Sequence, residues 1–161
     1  MAVLVTGAAG FIGMHVSAAL LARGEQVVGI DNLNDYYPVA LKEARLATLT
    51  SQRGFIFERL DLAKTEALLR FTKSHPEIDR VVHLAAQPGV RYSVDHPRAY
   101  ITANLVAQLE VLEACRHLPN LKHLVFASSS SVYGGNSMLA FAIEDAVDQP
   151  HAIYAATKKS G

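Results

Sequence analysis

The sequence has no tryptophan, a single cysteine and no excess of either charge: 15 basic residues stand against 15 acidic ones in 161. Cys115 cannot pair within the chain, which excludes an internal disulfide scaffold and fits a reducing, cytoplasmic setting. A balanced charge gives no electrostatic reason to expect a nucleic-acid partner. Seven histidines are present without zinc-ligand spacing; His117 and His123, for instance, are six apart on different expected elements, and no metal is expected. A chain of this length buries roughly two-thirds of the surface its unfolded form exposes, so it needs neither disulfides nor a metal to fold. One absence could mislead. Met1 to Ala22 carries no Asp, Glu, Lys or Arg, long enough for a membrane span or signal peptide. Glycines at 7, 10 and 13, the lack of a basic leader, and the β-branched run ending in a turn argue instead for a buried strand, a loop and a helix. No membrane association is expected.

What is present alternates. Short apolar runs at Val3 to Thr6, Gln26 to Ile30, Phe55 to Glu58, Val81 to Leu84 and His123 to Phe126 predict five strands. Helical stretches lie between them at about Ile12 to Ala22, Val39 to Leu49, Thr65 to Lys73 and Arg98 to Arg116. The last shows Ile101, Leu105, Leu109 and Leu112 at helical spacing, with Pro97 near its first turn. Strict alternation of this kind predicts an α/β fold, a doubly wound parallel sheet with helices on both faces. A further helix opens at Ile153 and stops after two turns, a rare domain end. The expectation is one domain over residues 1–161, truncated just after the Tyr154 to Lys158 motif.

Thr6-Gly7-Ala8-Ala9-Gly10-Phe11-Ile12-Gly13 follows the first strand and opens the first helix, the context a dinucleotide-binding loop requires. Gly7 permits the tight turn, Gly10 lets backbone approach a pyrophosphate, and Gly13 allows close helix packing, while free amides at the helix start face the phosphates. A structural turn rich in small residues is the alternative. Asp31 stands directly after the second strand, 24 positions past Gly7, where a carboxylate accepts hydrogen bonds from an adenosine ribose and repels a 2′-phosphate. This favours NAD over NADP, although Asp31-Asn32 could equally open the following loop. The spacing is Gly-x-x-Gly-x-x-Gly, not the Gly-x-Gly-x-x-Gly of two-domain dehydrogenases.

Tyr154 and Lys158 are four apart on the final helix and project from one face. An ammonium there favours the phenolate, so that the tyrosine can act as a general base on a sugar hydroxyl near neutral pH. Ser128 to Ser131 follow the fifth strand, just beyond a carboxyl end, where open α/β sheets place their ligands; a polar loop or helix cap is the alternative.

These residues, with Asn32-Leu33, Asp61-Leu62, His83-Leu84-Ala85-Ala86, Asn104 and Val132-Tyr133-Gly134, together resemble the extended short-chain dehydrogenase/reductase family of nucleotide-sugar epimerases and dehydratases. The match spans the whole chain. It implies strand order 3-2-1-4-5 with NAD across it, held by Gly7, Gly10, Phe11, Ile12, Gly13, Asp31 and Asn32. It further implies Asp61 and Leu62 near the adenine, Leu84, Ala85 and Ala86 under ribose and phosphates, Asn104 supporting that loop, and Ser129, Tyr154 and Lys158 as catalytic trio. Pro88 to Ser93, Ser128 to Gly134 and Tyr154 to Lys159 look most like the UDP-glucuronate 4-epimerases, which work through a 4-keto intermediate without net redox change. Arg91 could then face a uronate carboxylate, with Ser130 and Ser131 offering hydroxyls, or could pair with Asp95 at the rim. The 4,6-dehydratases carry an acidic pair where this chain has Ser130 and Ser131, which argues against dehydration. A UDP-glucose 4-epimerase, another sugar-nucleotide reductase or dehydrogenase, and an NAD-binding chain without chemistry are the alternatives. The resemblance also implies a C-terminal substrate lobe absent from this chain, and a homodimer pairing the helix near Arg98 to Arg116 with the one that begins at Tyr154.

Overall fold

The structure is a computed structural model and describes residues 1–136 and 140–161. Strand β1 (Ala2–Thr6) leads through the glycine loop into α1 (Phe11–Ala22), and β2 (Gln26–Asp31) leads into α2 (Val39–Thr50). After β3 (Phe55–Arg59), α3 (Ala67–Lys73) and β4 (Ile78–His83) comes the short α4 (Val90–Asp95). A rod then follows, made of α5 (Pro97–Tyr100), a π-helical segment (Ile101–Val106) and α6 (Ala107–His117). Strand β5 (His123–Phe126), a 3-10 turn (Ser130–Tyr133) and α7 (Ile153–Ser160) complete the described elements.

All five strands are parallel, in the order β3-β2-β1-β4-β5. Every residue of β1 is buried, because the central strand of a doubly wound sheet is covered on both faces. Alternation then sorts its side chains. Ala2 and Leu4 join Val28, Ile30, Ile78 and Val81 against Leu68, Val111 and Ala114 of α3 and α6. Val3 and Val5 join Val27 against Leu21 and Leu49 of α1 and α2. The charge-free amino-terminal stretch is thus a buried strand, a loop and a 12-residue helix. Among the described residues no helix is long and apolar enough to cross a membrane. In α1 the sheet-facing positions are Gly13, Ser17 and Leu21, four apart, and the first two are small enough to bring the helix axis close to the sheet.

Three elements differ from the sequence reading. Strand β4 starts at Ile78 rather than Val81 and ends at His83, because the polar Asp79-Arg80 pair sits inside it. Asp79 is buried at the sheet's amino end, where it accepts from Lys122 Nζ at 2.8 Å and Arg80 Nε at 3.2 Å, and Arg80 forks onto Glu25 at 2.9 and 2.7 Å. Those partners, Lys122 foremost, hold the Asp79 carboxyl below the usual carboxylate range. Helix α3 starts at Ala67 because Glu66 turns into the left-handed region, φ 58°, where its amide donates to Glu110 Oε2 at 2.7 Å. In the rod, the stripe that revealed the helix is not its core face: Ile101, Leu109 and Leu112 are exposed, while Asn104, Ala107, Gln108, Val111 and Ala114 are buried. Helix α4 and the 3-10 turn have no counterpart in the sequence reading.

Candidate active site

The strands end at Thr6, Asp31, Arg59, His83 and Phe126, and the loops leaving these carboxyl ends enclose a cleft of about 380 Å³. It lies where β2 and β4 leave β1 in opposite directions, the switch point at which such sheets bind ligands. The glycine loop forms one wall. Gly7 has φ +71°, and a Cβ there would stand 2.9 Å from the Ala85 amide nitrogen; Gly10 donates its amide to Gly7 O at 2.9 Å. A Cβ on Gly13 would overlap the Gly7 carbonyl, so its role is to let the first turn of α1 close onto the loop itself. Phe11 and Ile12 stand exposed at the mouth, and the Arg45 guanidinium sits over the Phe11 ring, 5.9 Å from its centroid.

On the β2 side, Asp31 is buried, and its carboxylate accepts from Leu33 N at 2.8 Å and Ala9 N at 3.2 Å. These bonds fasten the β2–α2 loop to the glycine loop, and they hold Leu33 at φ 54°, a backbone conformation uncommon for a branched side chain. Lys42 reaches the same corner from α2. Its Nζ donates to Asn34 Oδ1 at 2.7 Å and lies 3.8 Å from Asp31 Oδ1, with both charged side chains 8% exposed. Arg59 approaches from β3, its Nε donating to Asn32 O at 3.4 Å, and Asp61 fixes its own turn by accepting from Ala63 N at 3.0 Å.

The floor is built from a buried polar chain. Thr6 Oγ1 accepts from the amides of Leu84 at 3.2 Å and Ala85 at 3.1 Å and lies 2.7 Å from His83 Nδ1. With both hydroxyl lone pairs used, the Thr6 proton goes to Nδ1, which leaves the histidine proton on Nε2. Burial, reinforced by the nearby Lys158 charge, pushes His83 down to about 4, so the imidazole is neutral at physiological pH. One step further, Asn104 clamps Gln87 from behind: its Oδ1 accepts from Gln87 N at 2.7 Å and its Nδ2 reaches Gln87 O and Thr157 Oγ1, both at 3.1 Å. Asn104 sits in the π-helical segment, behind the cleft rather than in its wall.

Helix α7 supplies the opposite wall, with Tyr154 and Lys158 both facing the cleft from one side of the helix. Lys158 Nζ donates to Ala127 O at 2.7 Å and lies 4.9 Å from the Phe126 ring centroid, and burial lowers the ammonium from its ordinary value. Tyr154 meets the Tyr100 ring edge-on at 6.0 Å. The serine run divides. Ser128 lines the cleft; Ser129 caps the 3-10 turn, accepting from Ser131 N and bonding Ser131 Oγ, each at 3.2 Å. Ser129, Ser130 and Ser131 are not in the cleft wall, nor is Arg91, which is exposed on α4 without an ion pair to Asp95. The remaining expected cofactor positions, Gly7, Gly10, Phe11, Ile12, Gly13, Asp31, Asn32, Asp61, Leu62, Leu84, Ala85 and Ala86, all line it.

Several lining residues have no counterpart among the motifs of the sequence: Asn34, Tyr36, Tyr37, Lys42 and Gln87. Tyr36 reaches across the cleft to the β4–α4 loop, its ring 5.0 Å from that of Tyr92, and a Cβ on Gly89 (φ +100°) would stand 2.8 Å from its hydroxyl. Tyr100 pins that loop from below through Pro88 O and Gly89 O at 2.6 Å each. Two adjacent tyrosines in an otherwise polar loop were the available signal.

Residues 3–161 match the NAD dependent epimerase/dehydratase family, and the chain belongs to that family. It is 48% identical over 159 residues to UDP-glucuronate 4-epimerase 4 of Arabidopsis thaliana, covering 99% of this chain and 36% of that protein. It is 47% identical over 161 residues to protein CapI of Staphylococcus aureus, covering 99% and 47%. Among solved structures, UDP-glucuronic acid 4-epimerase from Bacillus cereus, in complex with UDP-glucuronic acid and NAD, superposes with a TM-score of 0.86 at 40% identity, covering 99% of this chain and 49% of that one. The chain therefore spans between about a third and a half of the relatives it matches. NAD is the cofactor of the family, and this cleft fits it: a glycine cradle that a Cβ would fill, a buried carboxylate at the end of β2, and a wall running on to Tyr154.

Proposed function

We propose that the chain forms the cofactor-binding and proton-transferring part of a UDP-sugar 4-epimerase that interconverts UDP-glucuronate and UDP-galacturonate through a 4-keto intermediate. The observation that carries this reading is the opening of Tyr154 and Lys158 into the same cleft as the glycine loop and Asp31. NAD, when bound, supplies a reversible hydride acceptor for the sugar's C4. Tyr154 takes the C4 hydroxyl proton as the carbon is oxidised and returns it after the keto sugar has turned over. Lys158, anchored on Ala127 O, brings its ammonium into the cleft that Tyr154 lines and donates to the nicotinamide ribose. Ser129 hydrogen-bonds the C4 oxygen once its hydroxyl proton turns from Ser131 Oγ, and Arg91, with Ser130 and Ser131, receives the uronate carboxylate. Gly7 to Gly13 and Leu84 to Ala86 seat the phosphates and riboses, Asp31 and Asn32 the adenosine ribose, and Asp61 and Leu62 the adenine.

The reading includes a cytoplasmic setting, supported by the lone free Cys115, and a homodimer, supported by the exposed stripe of Ile101, Leu109 and Leu112 on the rod. Leu109→Glu is expected to turn a dimer into a monomer in sedimentation analysis. Because the relatives run to about two to three times this length, residues beyond these are expected to complete the sugar-nucleotide pocket, and the 161-residue chain alone is expected to show little turnover. The test is incubation with UDP-glucuronate, chromatographic separation of the two uronates, and absorbance of reduced cofactor. A protein extended to the length of its relatives is expected to equilibrate the uronates with no net cofactor reduction. Net reduction would identify a dehydrogenase instead, and steady turnover by the short chain would contradict the division of the site.

A further inference from the structure

We propose that Lys42 is a latent 2′-phosphate site, and that the Asp31 carboxylate alone keeps this cleft from accepting NADP. The inference rests on the cofactor assignment above and adds what decides between the two dinucleotides. A carboxylate at the end of β2 normally excludes a 2′-phosphate by charge, whereas sites that take the phosphate place a basic side chain beside it. This cleft holds both. Lys42 is a buried cation in the cleft wall, next to Asp31 and Asn34.

Its partners leave it capacity. An ammonium has three donors. One is used on Asn34 Oδ1 at 2.7 Å, while Asp31 Oδ1 at 3.8 Å lies beyond hydrogen-bond distance and attracts it by charge only. The Asp31 oxygens are instead satisfied by two backbone amides, Ala9 N and Leu33 N, which fasten the carboxylate in place without help from Lys42. Removing the negative charge at position 31 therefore leaves a buried, under-coordinated ammonium facing the position of the adenosine ribose. Arg59 is another cation at this corner. It is exposed and bound through Nε to Asn32 O at 3.4 Å, so it lies on the rim rather than in the wall.

The test is calorimetric titration of the 161-residue chain and of Asp31→Asn, Asp31→Ser, Lys42→Met and Asp31→Asn/Lys42→Met with NAD and with NADP, each variant first checked for folding by circular dichroism and melting. Two substitutions at 31 are used because one of them could disturb the loop held by Ala9 N and Leu33 N. The expected result is at least a tenfold gain in NADP affinity for the better folded of the two single variants, lost again when Lys42 is also replaced. Lys42→Met alone is expected to leave the preference for NAD intact. A gain that survives in the double variant would overturn the proposal and point to Arg59, and no gain from folded Asp31 variants that still bind NAD would overturn it outright. Failure of the unsubstituted chain to bind NAD would instead overturn the cofactor assignment, and this inference with it.

Discussion

The two halves of the cleft are built differently. On the β1–β2 side, backbone does the work: Gly7, Gly13 and Asp31 are fixed by strand ends, a left-handed turn and amide-to-carboxylate bonds, and every expected residue there lines the cavity. On the β4–β5 side the floor is equally rigid, through Thr6, His83 and Asn104, but the expected substrate groups are not gathered: Ser129 is occupied as a cap, and Arg91 stands exposed on α4. The residues expected to hold the cofactor on the β1–β2 side are gathered in one cavity. The side chains proposed to hold the sugar stand outside its wall.

The largest effect that bears on this contrast is expected from Tyr154→Phe in the extended protein. Loss of the phenol should cut epimerisation by about 10²- to 10⁴-fold, with NAD affinity nearly unchanged in the same protein. Retention of most activity would remove Tyr154 from the chemistry. Next comes the floor, through pH. His83 is held at about 4 in the folded chain against an ordinary 6.5, so the unfolded chain binds the extra proton. Stability is then full above pH 6.5 and falls as the pH drops towards 4, by about 3 kcal/mol at roughly 1.4 kcal/mol per unit. Denaturant melts at several pH values should show this slope, and His83→Gln should flatten it. A wild-type chain equally stable at both ends would contradict the neutral, buried imidazole.

Gly13→Ala and Gly24→Ala separate the glycine cradle from ordinary glycine effects. At Gly13 the new methyl meets the Gly7 carbonyl, and we expect about 2 kcal/mol of destabilisation together with a severe loss of NAD binding. At Gly24, φ +80° and open space around it, about 1 kcal/mol of backbone strain is expected with NAD binding untouched. The smallest effect belongs to the β4–β5 side. Arg91→Ala in the extended protein should raise KM for UDP-glucuronate by about tenfold and leave kcat nearly constant, as expected for loss of a charge-assisted hydrogen bond made equally in ground and transition states. A fall in kcat with KM constant would place Arg91 elsewhere in the reaction.

The same contrast explains what was legible in the sequence. All five strands could be read because parallel strands of such a sheet are short apolar runs, whereas their order came with the family resemblance; β4 begins three residues earlier than those runs suggest because Asp79 and Arg80 are polar groups paired inside the fold with Lys122 and Glu25. The glycine loop, Asp31 and the Tyr154–Lys158 pair carried their chemistry in local spacing. Lys42 and Tyr36 did not. Each acquires its meaning from a partner on another element, Asp31 for one and Gly89 for the other, and no periodicity reports such a meeting. The stripe of Ile101, Leu109 and Leu112 identified a helix correctly yet pointed outward, because spacing reveals an apolar face without saying what covers it.

The most direct test of the account is calorimetric titration of the folded 161-residue chain with NAD and, in parallel, NADP. Saturable binding of NAD with clear preference over NADP is the predicted result, since the glycine cradle, Asp31 and the Leu84–Ala86 floor are all in place. No binding of either by a chain that circular dichroism shows to be folded, or equal affinity for both, would contradict the assignment of this cleft to NAD.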